Sequence, residues 1–392
     1  MRNKRFSFLV MLTIISLVIA SCATESTTSS GTTGGGQTVS PTTPPQTPES
    51  DIEAVTLGLG RGYIADWWAV FFNEPNGSSD ETTYINGIDV PLVDAIGQIQ
   101  NTLDIAAFEM NNPLIVAAIM DAHERGVTVQ MVTDDEHGLE DKDGIVQGMK
   151  DAGIAVVDDS RSALMHNKFM IMDSAAVWTG SWNYTINGTY RNNNNALVMQ
   201  NAQAVAAYQA EFDEMFKKGE FGPRSTDDGL IQFTESGTDV SILFASEGNV
   251  IEAVANEVLK AKSDIRFMTF VFSSDSLAEA MLEMVAKPNI NVQGIFENRN
   301  STASWSQLPP LHCAGASMRQ DGNSYVLHHK VIIIDDDTVV TGSFNFSGNA
   351  SKSNDENLVI IKNKDIASFY IDEWQRMWDN AEDLEPNEVT CS

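Results

Sequence analysis

The chain has 392 residues, enough for two domains that each bury a core of their own. Hydrophobic residues make up 42% and charged residues 20%, which excludes a fibrous or wholly disordered chain. With 24 basic against 54 acidic residues the formal charge is −30, which repels polyanions on average and weighs against a dedicated sequence-reading nucleic-acid binder, while a locally basic cleft could still accept a phosphodiester.

Arg2, Lys4 and Arg5 precede an apolar run from Phe6 to Ala20 that is too short to span a bilayer comfortably. It ends in Ile19-Ala20-Ser21-Cys22, which resembles a bacterial lipobox; a plain signal peptide cleaved elsewhere is the alternative. The expectation is a signal peptide over 1–21, an acylated Cys22, and a disordered Ser/Thr/Gly/Pro/Gln tether over 22–50. Such a protein is exported and lipid-anchored to a bacterial membrane, on the periplasmic side or at the cell surface. Export also permits a disulfide between Cys313 and Cys391 without requiring one. No Cys or His spacing suits zinc, so neither a structural metal nor a cofactor is expected.

Within 51–221, periodicity predicts a strand over 68–72, a helix over 91–99, a strand over 103–109, a helix over 114–125 and a strand over 127–132. This alternation points to α/β layers. The turn-rich segment Gly222 to Gly229 leads into a second domain over 230–382, followed by a tail over 383–392. The second domain repeats the first. Residues 166 to 216 align without a gap on 328 to 378, and Asp104-Ile105 faces Asp264-Ile265 upstream.

Polar residues persist in the repeat beside the apolar ones. His166 and Lys168, like His328 and Lys330, stand two apart before an apolar strand, so each pair projects from one face. Packed about a pseudo-two-fold axis, the four side chains converge on one pocket. That suits a phosphodiester: ammonium groups stabilise the non-bridging oxygens, one imidazole attacks phosphorus, and the other protonates the leaving oxygen. Asp173 and Asp335 complete each segment, yet strand parity turns them away and favours a role in fixing the strand end. Ser181, Asn183, Ser343 and Asn345 sit in Gly-Ser-x-Asn turns, where they either bind a phosphate oxygen or serve turn chemistry.

These two segments, His166-x-Lys168-x4-Asp173-x6-Gly180-Ser181-x-Asn183 and His328-x-Lys330-x4-Asp335-x6-Gly342-Ser343-x-Asn345, resemble the paired HKD motifs of the phospholipase D superfamily. The resemblance covers residues 64 to 382. It implies an α/β (α+β sandwich) fold of two tandem domains with the site at their interface, a phosphohistidine intermediate and no metal. It also places Asp173 and Asp335 with the catalytic set. An intramolecular pseudo-dimer, monomeric as a molecule, is the expected assembly.

Glu356 falls opposite Asn194 in the repeat, and the resemblance implies that an acidic residue here orients a histidine across the interface. The expectation is that Glu356 supports His166 as nucleophile while His328 acts as general acid. The expected substrate is a phospholipid head group, cleaved by hydrolysis or transfer at a membrane surface. The alternatives are a metal-independent extracytoplasmic nuclease with nucleic acid as substrate, and a non-catalytic phosphate-binding surface protein.

Other signals are read blandly. Gly58, Gly60 and Gly62 form a loop, and Asp134, Asp135, Glu136 and His137 form a solvated loop rimming the site. His123 is an ordinary surface residue, His329 serves packing or surface, and Trp67 and Trp68 belong to the core or an interface.

Overall fold

In the run Lys168-Phe-Met-Ile-Met172, alternate side chains leave opposite faces of a strand, and both faces are buried, as in a sheet covered on two sides. The computed structural model describes residues 52–226, 229–246 and 248–391. The expected signal peptide, Cys22 and the tether lie outside the described residues.

The first half contains β1 (Glu53–Thr56), β2 (Gly60–Ile64), β3 (Trp68–Asn73), α1 (Asp89–Ile96), β4 (Thr102–Ala107), α2 (Pro113–Glu124), β5 (Thr128–Thr133), α3 (Ile145–Asp151), β6 (Ala155–Asp158), β7 (Lys168–Met172), β8 (Ala176–Gly180), α4 (Ile186–Tyr190), β9 (Asn195–Met199) and α5 (Ala202–Asp213). Its sheet runs β1-β2-β3-β9-β8-β7-β4-β5-β6, with β4, β5 and β6 parallel and the other pairs antiparallel. The Gly-x-Gly-x-Gly run expected as a loop lies partly in strand β2, where Gly62 lets the Phe71 ring of β3 lie against the backbone.

The second half contains β10 (Ile231–Glu235), β11 (Thr238–Ala245), α6 (Val250–Val258), β12 (Asp264–Thr269), α7 (Asp275–Val285), β13 (Asn291–Phe296), α8 (Leu308–Cys313), β14 (Ser317–Gln320), β15 (Lys330–Ile334), β16 (Thr338–Gly342), α9 (Gly348–Lys352), β17 (Glu356–Lys362), α10 (Lys364–Asn380) and β18 (Glu382–Asp383). Its sheet order, β10-β11-β17-β16-β15-β12-β13-β14-β18, repeats the first after one exchange at the edges. The first sheet has the additional strand β1, and the second gains β18.

One hydrophobic core joins the halves. Phe169, Ile171 and Leu197 of the first sheet share it with Val331, Ile333 and Val359 of the second, and with Tyr208 and Phe212 of α5 and Tyr370 and Trp374 of α10. The opposite faces of the second sheet, through Ile332 and Ile334, pack on α6 and α7 in a separate cluster. Trp67 and Trp68 belong to the shared core. A disulfide joins Cys313 at the end of α8 to Cys391, tying the C-terminal tail to the second half. Among the described residues no helix is long and apolar enough to cross a membrane.

Candidate active site

Sheet register brings the site to one edge. Lys168 opens β7 opposite Ala107, the last residue of β4, and Lys330 opens β15 opposite Thr269, the last residue of β12. The segments just upstream of these strands pair across the halves: Met165 bridges to Asp355 and Asn193 to Leu327. His166 N donates to Asp355 O (3.0 Å), and His328 N donates to Asn193 O (2.9 Å). Each histidine is thus fastened by its backbone to the opposite half.

The imidazoles are held across the same seam. His166 Nδ1 lies 2.7 Å from Glu356 Oε2, and His328 Nδ1 lies 2.8 Å from Asn194 Oδ1. Lys168 Nζ donates to the carbonyl of His166 (2.7 Å) and Lys330 Nζ to that of His328 (2.8 Å). Phe108 touches the His166 ring and lies beneath Lys168, and Phe270 does the same for His328 and Lys330.

All four groups are buried. Burial, with the ammonium groups of Lys168 and Lys330, holds the His166 imidazole well below its usual range. Burial, Lys330, Lys168 and His166 do the same to His328. Burial brings Lys168 down to about 8 and, with Lys168 nearby, pushes Lys330 well below the usual lysine range. Glu356 is pushed up to about 8 by burial, against the pull of Lys168 and a hydrogen bond from Ser343. The mutual effects of His166, His328, Lys168 and Lys330 place the two pairs in one electrostatic environment.

Asp173 and Asp335, grouped above with the catalytic set, are turned away from the four. Each has positive φ just after its strand. The Asp173 carboxylate accepts the backbone N–H of Gln100, Asn101 and Thr102, and Asp335 accepts those of Lys262, Ser263 and Asp264. They staple the strand end to the entry of β4 or β12, as parity favours.

Ser181 and Ser343, expected to bind phosphate, aim their hydroxyls elsewhere. Ser181 Oγ donates to Asn194 Oδ1 (2.9 Å), and Ser343 Oγ donates to Glu356 Oε2 (2.8 Å), so each supports a group that holds a histidine. Asn183 Nδ2 donates to Glu109 Oε2 (2.9 Å). Ala107 and Thr269 hold the same place in the two sheets, which corrects the facing of Asp104 with Asp264 expected from sequence and makes Val271 the counterpart of Glu109, so the repeat did not signal this partner. The side-chain oxygens of Asn183 and Asn345 are buried without a hydrogen-bond partner. The preceding Gly180 and Gly342 have positive φ, and a Cβ there would lie 2.3 Å from Asn195 O or Asn357 O. That close approach is why this turn requires glycine.

Beneath the four lies an asparagine network that sequence reasoning missed. Asn195 Nδ2 donates to Thr341 Oγ1 and Tyr370 Oη (both 2.8 Å), and Asn357 Oδ1 accepts from Thr179 Oγ1 (2.7 Å) and Tyr208 Oη (3.1 Å). The alignment of Asn195 with Asn357, and of Tyr208 with Tyr370, was the available signal. His329, read as packing or surface, is buried between Asn195 and Glu373. Asp134, expected in a solvated loop, is likewise buried, because its carboxylate caps the Asp135–Leu139 turn and accepts Met165 N. His123 is partly buried.

The family described as "Cardiolipin synthase, PLD-like domain" matches residues 92–216 and again residues 254–378. A mitochondrial cardiolipin hydrolase of Xenopus tropicalis is 36% identical over 121 residues, 31% of this chain and 57% of that protein. This chain thus spans little more than half the length of that relative. A phospholipase D of Rickettsia conorii is 31% identical over 139 residues, 36% of this chain and 69% of that protein. A phosphatidylserine synthase structure from Haemophilus influenzae covers 75% of this chain and 85% of its own, at 13% identity and a TM-score of 0.53, a likeness of fold alone. Matched in both halves, with a His-x-Lys pair from each meeting at the seam, the chain belongs to the phospholipase D-like family and carries that domain twice.

Proposed function

We propose that this protein is a phosphodiesterase of phospholipase D type that cleaves phospholipid head groups through a phosphohistidine. The observation that carries the reading is the crossed support of the two histidines, Glu356 on His166 and Asn194 on His328, beside two buried lysines. The cardiolipin hydrolase and phospholipase D names of its relatives favour a lipid substrate.

Nδ1–H of neutral His166 donates to Glu356, which leaves the Nε2 lone pair for phosphorus. Depressed basicity keeps that lone pair free at neutral pH. A phosphodiester anion beside Lys168 and Lys330 offsets their repulsion and raises the basicity of His328, which then carries a proton to the departing alkoxide. As the P–N bond forms, the P–O bond to the head group breaks and the alcohol leaves with the His328 proton. Water or another alcohol then attacks phosphorus and gives a proton to His328. The P–N bond breaks, and His166 returns neutral. Burial raises Glu356 to about 8, against the pull of Lys168 and Lys330; the positive charge that grows on His166 in the first step favours its ionised form, and that carboxylate offsets the charge. The lysines supply the charge stabilisation, so turnover should persist in EDTA.

We place the protein at a membrane surface, held by lipid on Cys22, where such substrates lie. The test incubates the full chain in detergent and EDTA with labelled phosphatidylcholine, phosphatidylglycerol, cardiolipin and single-stranded DNA. The phosphoenzyme is then trapped and the modified residue mapped. Lipid turnover with label on His166 is expected. Cleavage of DNA alone would replace this reading with the nuclease, and label on His328 would reverse the histidine roles.

A further inference from the structure

Each reactive histidine is preceded by a peptide N–H held by a buried carboxylate of its own half. Met165 N donates to Asp134 Oδ2 (3.2 Å), and Leu327 N donates to Glu297 Oε2 (2.7 Å). Asp134 and Glu297 occupy the same place in the repeat, each directly after a parallel strand, β5 or β13. They are 1% and 3% exposed, so each carboxyl is held there at a desolvation cost that its hydrogen bonds must offset.

The other oxygen of each carboxylate holds the rim loop beside the site: Asp134 Oδ1 accepts His137 N (2.9 Å), and Glu297 Oε1 accepts Arg299 N (3.3 Å). The His137 ring packs on Phe108, which in turn packs on His166. Met165 and Leu327 are also the residues that bridge to the opposite half. Each histidine is therefore clamped from two sides, by the opposite half through its own N–H and by its own half through the residue before it.

We propose that Asp134 and Glu297 are a matched pair of positioning residues, each setting the backbone from which one imidazole reaches the phosphorus. This rests on the phosphodiesterase reading above, with His166 forming the phosphoryl bond and His328 moving the proton. A displaced nucleophile slows every diester, because bond formation needs its lone pair in line. A displaced acid slows only those diesters whose leaving oxygen needs a proton. The two carboxylates therefore have different kinetic signatures despite equivalent places in the fold.

The experiment compares Asp134→Asn and Glu297→Gln in the full chain. Each substitution keeps the shape and removes one of two acceptors. Two substrates are used: bis(p-nitrophenyl) phosphate, whose p-nitrophenolate leaves without a proton, and phosphatidylcholine, whose choline does not. Asp134→Asn should slow the p-nitrophenolate burst and choline release alike, by roughly tenfold to a hundredfold, with KM little changed. Glu297→Gln should slow choline release by a similar factor and leave the burst near the wild-type rate. Wild-type rates in both variants would overturn the proposal alone. So would equal losses on both substrates in both variants together with a lowered melting midpoint, since that is general loosening. A wild type with neither burst nor choline release would sink the phosphodiesterase reading and this one with it.

Discussion

The two halves share a fold and differ in how each supplies charge around its reactive histidine. The second half lends the first a carboxylate, Glu356, while the first returns a neutral amide, Asn194, from the matching position. Around the seam the first half has Arg161, which bridges Asp159 and Asp355; the matching residue of the second is Asn323. The second half alone has a disulfide among the described residues. A duplicated frame can thus keep its geometry, set by apolar alternation and backbone pairing, while a few side chains divide the chemistry between two equivalent places.

If that division is real, His166→Ala and His328→Ala should behave differently. Loss of His166 should lower kcat by on the order of 10⁴ on any diester, whereas loss of His328 should spare much of the p-nitrophenolate burst. Equal losses on that substrate would erase the asymmetry. The covalent difference between the halves is tested by Cys313→Ser. The bond spans a sequence separation of 78, for which chain entropy gives about 4.5 kcal/mol of stability at most. Urea unfolding should show that loss, with the order-of-magnitude kcat preserved.

Glu356→Gln should lower kcat about a hundredfold, close to 3 kcal/mol, because the amide cannot balance charge growing on His166. Asn194→Ala, which removes a neutral acceptor, should cost less. A larger effect at Asn194 would make His328 the better supported imidazole and break the comparison.

The smallest effect concerns pH. Burial, with a neighbouring carboxylate, pushes Asp321 up to about 7, and Asp159 likewise. Between the usual carboxylate range and about pH 7 the folded protein therefore binds more protons than the unfolded chain, so both residues make stability fall as pH rises through that window. Asp321→Asn should remove its share of the fall, raising the melting midpoint at pH 8 relative to pH 5 by a few degrees. Asp159→Asn should recover a comparable share, because its shift to about 7 already includes the opposing pull of Arg161, whose Nε lies 3.1 Å from the carboxylate. No recovery at either position would show that these two carboxyls do not carry the pH dependence.

Much of the site was legible because the repeat filters residues. A His and a Lys at matched offsets beside an apolar strand are visible in one dimension, and strand parity turns Asp173 and Asp335 away from them, where the structure has both carboxylates accepting backbone amides. Ser181 and Ser343 were less legible. Turn composition says that a hydroxyl is present but not which acceptor lies beneath it, and the acceptors proved to be Asn194 and Glu356. Asp134 was misread for a similar reason. An acidic run after a strand has the composition of a solvated loop, and only the return of the chain to Met165 buries its first member.

By itself the sequence determined the local and repeated part of this protein: alternation that makes strands, caps and glycines that end elements, and two copies of one reactive segment. These follow from steric preference and periodicity over a few residues, so they need no knowledge of neighbours. The tertiary structure alone decided which half supports which histidine, which carboxylates are stripped of water, and that Asn195 and Asn357 tie the halves together. Those outcomes depend on groups more than a hundred residues apart meeting in a dry interior, where burial and Coulomb forces become strong only once the chain has folded.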